Sequence, residues 1–116
     1  MRWLSIFLLV SALASDHALV QQVPLKETDR MNPYAGQAEA TRAGHKIFER
    51  ECAACHGDAA QGGKRAPALA SPAIREASSG QIFWVLKNGS MKHGMPSFSH
   101  LPEQQRWQVV TYLKTL

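Results

Sequence analysis

The stretch Cys52-Ala53-Ala54-Cys55-His56 decides how the whole chain is interpreted. Two cysteines three positions apart on a helical turn direct their sulfur atoms the same way. That spacing lets both thiols add to the two vinyl groups along one edge of a haem, with His56 held under the porphyrin. C-x-x-C-H is the recognised signature of covalent haem attachment. We therefore predict one c-type haem bound by Cys52 and Cys55, with His56 as a ligand of its iron.

Three other interpretations of the cysteine pair fit the sequence less well. A thioredoxin-like redox pair needs a βαβ setting, which this helical chain lacks. A zinc site needs a second pair of ligands, and the chain has only two cysteines. A disulfide across a two-residue gap would be strained and would close almost no loop.

The N-terminus has the pattern of a secretory signal peptide. Met1 and Arg2 precede an uncharged run from Trp3 to Ala14, which ends in the small-x-small pattern that signal peptidase recognises. An uncleaved membrane anchor is the alternative, but a spanning helix takes about 20 apolar residues and this run is shorter. We therefore predict a signal peptide at residues 1–14, a periplasmic or otherwise exported protein, and no stable membrane span after cleavage.

Length and charge restrict the function classes further. The chain has 116 residues, enough for one domain, and the mature part is small enough to be marginally stable on hydrophobic burial alone. The two closely spaced cysteines cannot staple distant segments, so a bound cofactor is the remaining candidate stabiliser. The formal net charge is +4, and the basic residues are scattered. This distribution does not favour nucleic acid as a partner.

Helical patterns predict an all-α fold. Residues 38–51 are rich in helix formers, and their apolar side chains recur on one face. The members of this face are Ala40, Ala43, Gly44, Ile47 and Phe48. Glycine costs about 1 kcal/mol relative to alanine in a helix. Gly44 is nevertheless well placed for another backbone to approach closely.

Further helices are predicted after a loop over residues 57–70. Ser71-Pro72 is expected to start a short helix, and Ser79 to cap a helix that Gly89 ends. Pro102 opens a C-terminal helix.

In that last helix, Glu103 is expected in the first turn and Lys114 in the last turn, where each charge complements the helix dipole. By contrast, residues 15–37 contain prolines, a glycine and mixed polar residues without periodicity. They are predicted to form an irregular N-terminal arm.

Met95, in the loop Gly94-Met95-Pro96-Ser97-Phe98, is the predicted second iron ligand. Pro96 stiffens the backbone beside it. A thioether is a soft, neutral ligand that stabilises ferrous iron and raises the reduction potential. Met91 lacks the neighbouring proline, and Met31 lies in the arm, so both are poorer candidates.

Histidines flank the same loop and leave a second type of ligation open. His93 and His100 are alternatives that would give an iron with two histidine ligands. His45 falls off the apolar face of its helix and His17 lies near the mature N-terminus, so both are expected at the surface.

From about Ala38 to Leu116 the chain resembles a class I cytochrome c. The similarity rests on the first helix, C-A-A-C-H, the Gly-rich loop, G-M-P-S-F and a C-terminal helix with Trp107 and Tyr112. It implies a cytochrome c domain at residues 38–116, with about four helices packed around one covalently attached haem. It also implies that the first and last helices cross, with Gly44 opposite Trp107 or Tyr112.

The resemblance also implies contacts around the cofactor. The carbonyl of Pro67 would accept the ring N–H of His56, a type of bond that fixes the imidazole and tunes the metal. Trp84 would donate its indole N–H to a haem propionate, with a place in the core as the equal alternative. Lys64 and Arg65 are further candidates to meet a propionate.

These features predict a one-electron carrier and not an enzyme. Its iron would cycle between the ferrous and ferric states, and it would dock transiently on redox protein partners such as a dehydrogenase, an oxidase or a membrane electron-transfer complex. Two alternatives stay open. If Met95 does not bind, the iron has an open site suited to an enzyme or ligand sensor. The chain could also be the fixed electron-entry subunit of a larger dehydrogenase or oxidase, with the arm as its docking strap.

Overall fold

The computed structural model describes residues 20–116, and the predicted signal peptide lies outside them. Six α-helices lie entirely within these residues: α1 (Leu25–Thr28), α2 (Ala38–Glu51), α3 (Ala53–His56), α4 (Pro72–Glu76), α5 (Ser79–Asn88) and α6 (Glu103–Leu113). A 3₁₀ turn (Met91–His93) follows α5, and no strand is present beyond an isolated bridge in this described part. The all-α prediction is confirmed. None of the helices between residues 20 and 116 is long and apolar enough to cross a membrane.

Helices α2 and α6 cross at Gly44. A Cβ atom built on Gly44 would overlap the backbone carbonyl of Gln108 and lie 3.0 Å from Cβ of Tyr112. Glycine lowers the stability of the α2 helix itself, but it is required here because only a residue without Cβ lets the two helix backbones touch. Of the two alternatives for the aromatic residue opposite Gly44, Tyr112 is the one in place. Trp107 instead stacks on Phe83 of α5, with ring centroids 3.8 Å apart.

One hydrophobic core joins α2, α5 and α6. Its largest fully buried side chains are Phe48, Phe83, Val109 and Val110. Fully burying a side chain of this size stabilises the fold by about 1.5–3 kcal/mol. The core extends into the loop before α6 through Phe98, so the helices and this loop are held in fixed relative positions.

Helix α5 has the predicted bounds, but its capping residue differs by one position from the prediction. Ser78, not Ser79, is the capping residue: its Oγ accepts the N–H of Gln81 at 3.1 Å. The Gln81 side chain accepts the N–H of Ser78 in return at 2.8 Å, which completes a capping box. Ser78 has the extended backbone that a capping residue needs, whereas Ser79 is already helical. At α4, Ser71 caps the helix and Pro72 is its first residue, as predicted.

The end of α6 also differs from the prediction. The helix ends at Leu113, and Lys114 follows it instead of lying in the last turn. The Lys114 ammonium donates to the carbonyls of Arg75 and Ala77, each at 2.7 Å. These carbonyls lie at the end of α4, so the lysine joins the C-terminal ends of two helices where a positive charge is favourable.

Residues 20–37 of the predicted arm contain α1 and several turns, and they pack against α5 and α6. Asn32 Nδ2 donates to Thr111 Oγ1 of α6 at 2.8 Å. Arg30 forms an ion pair with Glu103 at 2.9 Å. The arm is therefore attached to the helical core by side chains distant in sequence.

Candidate haem site

A cavity of about 500 Å³ lies between the C-x-x-C-H turn, α5, α6 and the loop around Met95. Apolar side chains form most of its wall: Phe48, Leu69, Ile74, Ile82, Leu86, Phe98 and Val109. The volume and the apolar lining with few polar groups are typical of a cofactor site. Such walls exclude water and so strengthen the polar contacts made inside.

The C-x-x-C-H motif lies at the junction of α2 and α3. The N–H of Cys52 donates to the carbonyl of Phe48 at 2.8 Å, and the chain then turns into α3. The N–H groups of Cys55 and His56 both donate to the carbonyl of Cys52, at 3.2 and 3.0 Å. This compact turn brings all three motif side chains to the wall of the same cavity. Two thiols and one imidazole are the donor set that fits a covalently attached haem.

The alternatives to haem attachment gain no support from this geometry. Both cysteines lie in the described part of the chain, and neither forms a disulfide. Within residues 20–116, no group of three or more His, Cys, Asp and Glu side chains is placed to hold a metal ion. The ligand set that a structural zinc site requires is therefore missing from this region.

The Cys52 thiol sits in an environment that disfavours its charged form. Burial raises the pKa of Cys52 to about 11, with smaller contributions from the Glu51 carboxylate and from Cys55. Desolvation disfavours a thiolate more than a neutral thiol. With its pKa raised in this way, the half-buried Cys52 thiol is protonated at neutral pH and adds no charge to the apolar wall.

His56 is oriented by a contact with the loop after it. Its Nδ1 lies 2.9 Å from the carbonyl oxygen of Pro67. A carbonyl only accepts hydrogen bonds, so in this contact Nδ1 carries the proton and Nε2 keeps its lone pair. This is the tautomer that suits a metal ligand.

Met95 is brought to the cavity by backbone contacts. Ser90 and Met95 exchange two backbone hydrogen bonds, each 2.9 Å long. Gly89 ends α5, and a Cβ atom built there would lie 2.6 Å from the carbonyl carbon of Pro96. The loop therefore packs directly on the end of α5, and the half-buried Met95 side chain lines the cavity.

The other methionines of the described chain lie elsewhere. Met31 and Met91 are 88% and 79% exposed, and neither lines the cavity. Among residues 20–116, Met95 is thus the one thioether positioned at the cavity.

The histidines also differ in whether they line the cavity. His45, on α2, pairs with Glu49 at 3.2 Å, and the exposed His100 packs near the ring of Phe98. His93 does line the cavity. His17 lies outside the described residues.

The residues expected at the propionates differ in position. Trp84 is half-buried on α5 and does not line the cavity of the described structure, so its contact with a propionate stays a prediction. Lys64 and Arg65 do line the cavity, in the loop that leads to Pro67. Their cationic side chains fit the two carboxylates that a haem carries.

Val20 is one of the cavity residues that were not predicted from the sequence. Val20, in the arm, lines the cavity, and its carbonyl accepts the side-chain N–H of Gln81 at 3.3 Å. No motif or periodicity marks Val20, since its position depends on how the arm packs against α5.

Comparison with known proteins is consistent with this site. A family profile described as cytochrome c oxidase, cbb3-type, subunit III matches residues 39–113, more than half of the chain. No curated protein matches the chain. The matched region includes C-x-x-C-H, Pro67 and Met95, and it excludes the arm. The chain therefore belongs to the family of cbb3-type cytochrome c oxidase subunit III, whose cytochrome c domain binds a haem covalently and transfers electrons through its iron.

Proposed function

We propose that the protein is an exported one-electron carrier, with thioether bonds from Cys52 and Cys55 to the haem and with His56 and Met95 as axial ligands. The observation that carries this proposal is that all four side chains line one mostly apolar cavity. When bound, the haem supplies an iron that alternates between the ferrous and ferric states.

The residues around the cavity have separate roles in this proposal. The Pro67 carbonyl holds the His56 ring in one tautomer and orientation. The Met95 thioether favours ferrous iron and raises the reduction potential. Lys64 and Arg65 offset the charge of the propionates.

The proposed ligation leaves no open position on the iron, which favours electron transfer over catalysis. The backbone pairing between Ser90 and Met95 fixes the part of the loop that carries the thioether. Redox protein partners would then exchange electrons at the cavity mouth, where the exposed Cys55 lies. The small interfaces of transient redox complexes suit such a role.

Export is supported by the N-terminal sequence pattern. We propose that residues 1–14 are a cleaved signal peptide and that the mature protein acts in the periplasm or another exported compartment. Mass spectrometry of the protein purified from cells tests this point: an N-terminus near Ser15 supports cleavage, and an intact Met1 contradicts it.

Absorption spectra of the purified holoprotein test the haem proposal. We expect a haem that stays attached after denaturation, a sharp reduced α-band, and a weak near-infrared sulfur-to-iron band in the oxidised form. Met95→Ala should abolish the near-infrared band, whereas Met91→Ala, a matched change at an exposed methionine, should leave it intact. A haem lost on denaturation contradicts covalent attachment, and a band that survives Met95→Ala contradicts the assigned ligand.

A fixed electron-entry subunit of a larger complex is the second candidate, and the family description favours it because it names a subunit of an oxidase. The haem chemistry would be the same, and only the partnership would differ. Purification from native membranes distinguishes the two. A stoichiometric complex supports the subunit, and a protein recovered alone from the exported fraction supports the free carrier.

A further inference from the structure

We propose that His93 is an alternative axial ligand, which binds the haem iron whenever the Met95 thioether does not. The inference rests on the haem site proposed above. It begins with placement: among residues 20–116, His56 and His93 are the two histidines that line the cavity.

The two imidazoles are held in a similar way. Nδ1 of His56 faces the Pro67 carbonyl at 2.9 Å, and Nδ1 of His93 faces the Ser90 hydroxyl oxygen at 2.7 Å. A serine hydroxyl accepts a hydrogen bond as readily as it donates one. When the His93 Nδ1–H donates to Ser90, the lone pair of Nε2 is available for a metal. A ligating histidine almost always donates its other ring N–H to an oxygen acceptor, most often a carboxylate, a backbone carbonyl or a water, and the Ser90 hydroxyl oxygen offers the same kind of lone pair.

The backbone around His93 suits a change of ligand. His93 ends the 3₁₀ turn between Ser90 and Met95, which are themselves joined by two backbone hydrogen bonds. Gly94 follows with φ +77°, and a Cβ atom built on it would meet no other described atom within 4 Å. The exposed turn is therefore loosely packed between two fixed ends. The imidazole can move toward the cavity without separating the Ser90–Met95 pair.

The exchange is balanced in bonds and charge. The bond from Met95 sulfur to iron breaks, the bond from His93 Nε2 to iron forms, and both ligands are neutral, so no electron or proton is transferred. The iron keeps six ligands, and the site stays closed to small molecules. Loss of the thioether also removes the ligand that raises the potential, so the exchanged form has the lower reduction potential.

Spectra of the haem-loaded full chain test this inference. In Met95→Ala we expect a ferric haem that is six-coordinate and low-spin, without the near-infrared sulfur band. Met95→Ala/His93→Ala should become high-spin, and its reduced form should bind carbon monoxide without displacing a ligand. The matched control is Met95→Ala/His100→Ala, which should stay low-spin because His100 does not line the cavity.

Two results would overturn the inference: a high-spin haem in Met95→Ala, or a low-spin haem that survives the loss of His93. If Met95→Ala folds poorly, Met95→Leu keeps the side-chain volume and answers the same question. If the proposed function is wrong, the wild-type protein itself will lack the attached haem or the sulfur band, which separates that result from a failure of this inference. Failure of this inference leaves the wild-type spectrum as predicted and changes only the variants.

Discussion

The Met95 loop and the arm pack against opposite ends of α5, and both do so at a glycine. The Met95 loop, residues 89–98, folds over Gly89 just after the helix. The arm, residues 20–37, lies on Gly80 in the first turn, where a built Cβ atom would overlap the carbonyl oxygen of Glu27 and lie 2.9 Å from that of Thr28. At both ends of the helix, a residue without a side chain lets another backbone segment pack directly on it.

The two segments differ in what holds them. Backbone hydrogen bonds are the main contacts that secure the loop: the Ser90–Met95 pair, and the N–H of Phe98 to the carbonyl of Leu86 at 2.8 Å. One side-chain bond adds to them, from Ser97 Oγ to the carbonyl of Lys87. Side chains secure the arm, including Ser78 Oγ, which donates to the carbonyl of Thr28 at 2.7 Å. The family match includes the loop and excludes the arm. From this comparison we expect the loop to hold an iron ligand and the arm, apart from Val20 at the cavity, mainly to stabilise the domain.

The sharpest test changes Gly89 to alanine. Gly89 has φ +67° and ψ −168°, a conformation that is essentially restricted to glycine, and its missing Cβ makes room for Pro96. We expect Gly89→Ala to lower the free energy of unfolding by about 3 kcal/mol and to abolish the near-infrared sulfur band. Denaturant unfolding and the ferric spectrum measure both effects.

Gly36→Ala is the matched control for that variant, since Gly36 also has a positive φ of +74°, a Cβ atom there would meet no described atom within 4 Å, and Gly36 does not line the cavity. It should preserve the band and lose only about 1–2 kcal/mol of stability, from the backbone strain. A Gly89→Ala protein with a normal sulfur band would show that the loop does not depend on this contact.

Gly80→Ala should lower the stability of the fold without changing the ligands of the haem iron. Gly80 is helical, so alanine adds no backbone strain and only crowds the carbonyls of Glu27 and Thr28. We expect a loss of about 2 kcal/mol in the free energy of unfolding, with the sulfur band intact. If the band disappears as well, the arm also positions the iron ligands and the contrast between the two segments is wrong.

Arg30→Ala should have a smaller effect on the arm. The guanidinium carbon lies 4.8 Å from the ring centroid of Phe83 and 5.5 Å from that of Trp107, and the group also pairs with Glu103. The ion pair is partly exposed, so we expect a total loss of about 1.5 kcal/mol in the free energy of unfolding. The free energy of unfolding of Arg30→Lys shows whether the ion pair with Glu103 or the stacking on Phe83 and Trp107 contributes more. A loss close to that of alanine assigns the effect to the planar stacking of arginine.

Asn32→Ala is expected to have the smallest effect. It removes the hydrogen bond to Thr111 and the local one that Asn32 Oδ1 accepts from the N–H of Tyr34 at 2.9 Å, yet the Thr111 hydroxyl still donates to the carbonyl of Trp107 at 2.8 Å. A loss of about 1 kcal/mol in the free energy of unfolding is therefore expected, with an unchanged haem spectrum. A loss as large as that of Gly80→Ala would show that the hydrogen bonds of Asn32 attach the arm as strongly as the contact at Gly80.

Local patterns predicted much of the fold. Residues 38–51 form a helix with the expected bounds, because periodicity and helix formers act over a few neighbouring residues. The cap of α5 was misassigned because Ser78 and Ser79 have equally suitable side chains, and only the backbone conformation distinguishes them. The partner of Gly44 was only partly predicted, since the rotation of α6 places Gln108 and Tyr112, not Trp107, at the crossing.

The sequence by itself determined the candidate donors, because C-x-x-C-H and G-M-P-S-F are short motifs whose chemistry depends on neighbours in the chain. Tertiary structure decided which donors reach the cavity: His93 lines it and His100 does not, although both flank the same loop. It also decided that Val20 reaches the cavity and that the arm packs against α5. Such contacts join residues far apart in sequence, so they depend on how the helices and loops pack and leave no periodic signal in the chain.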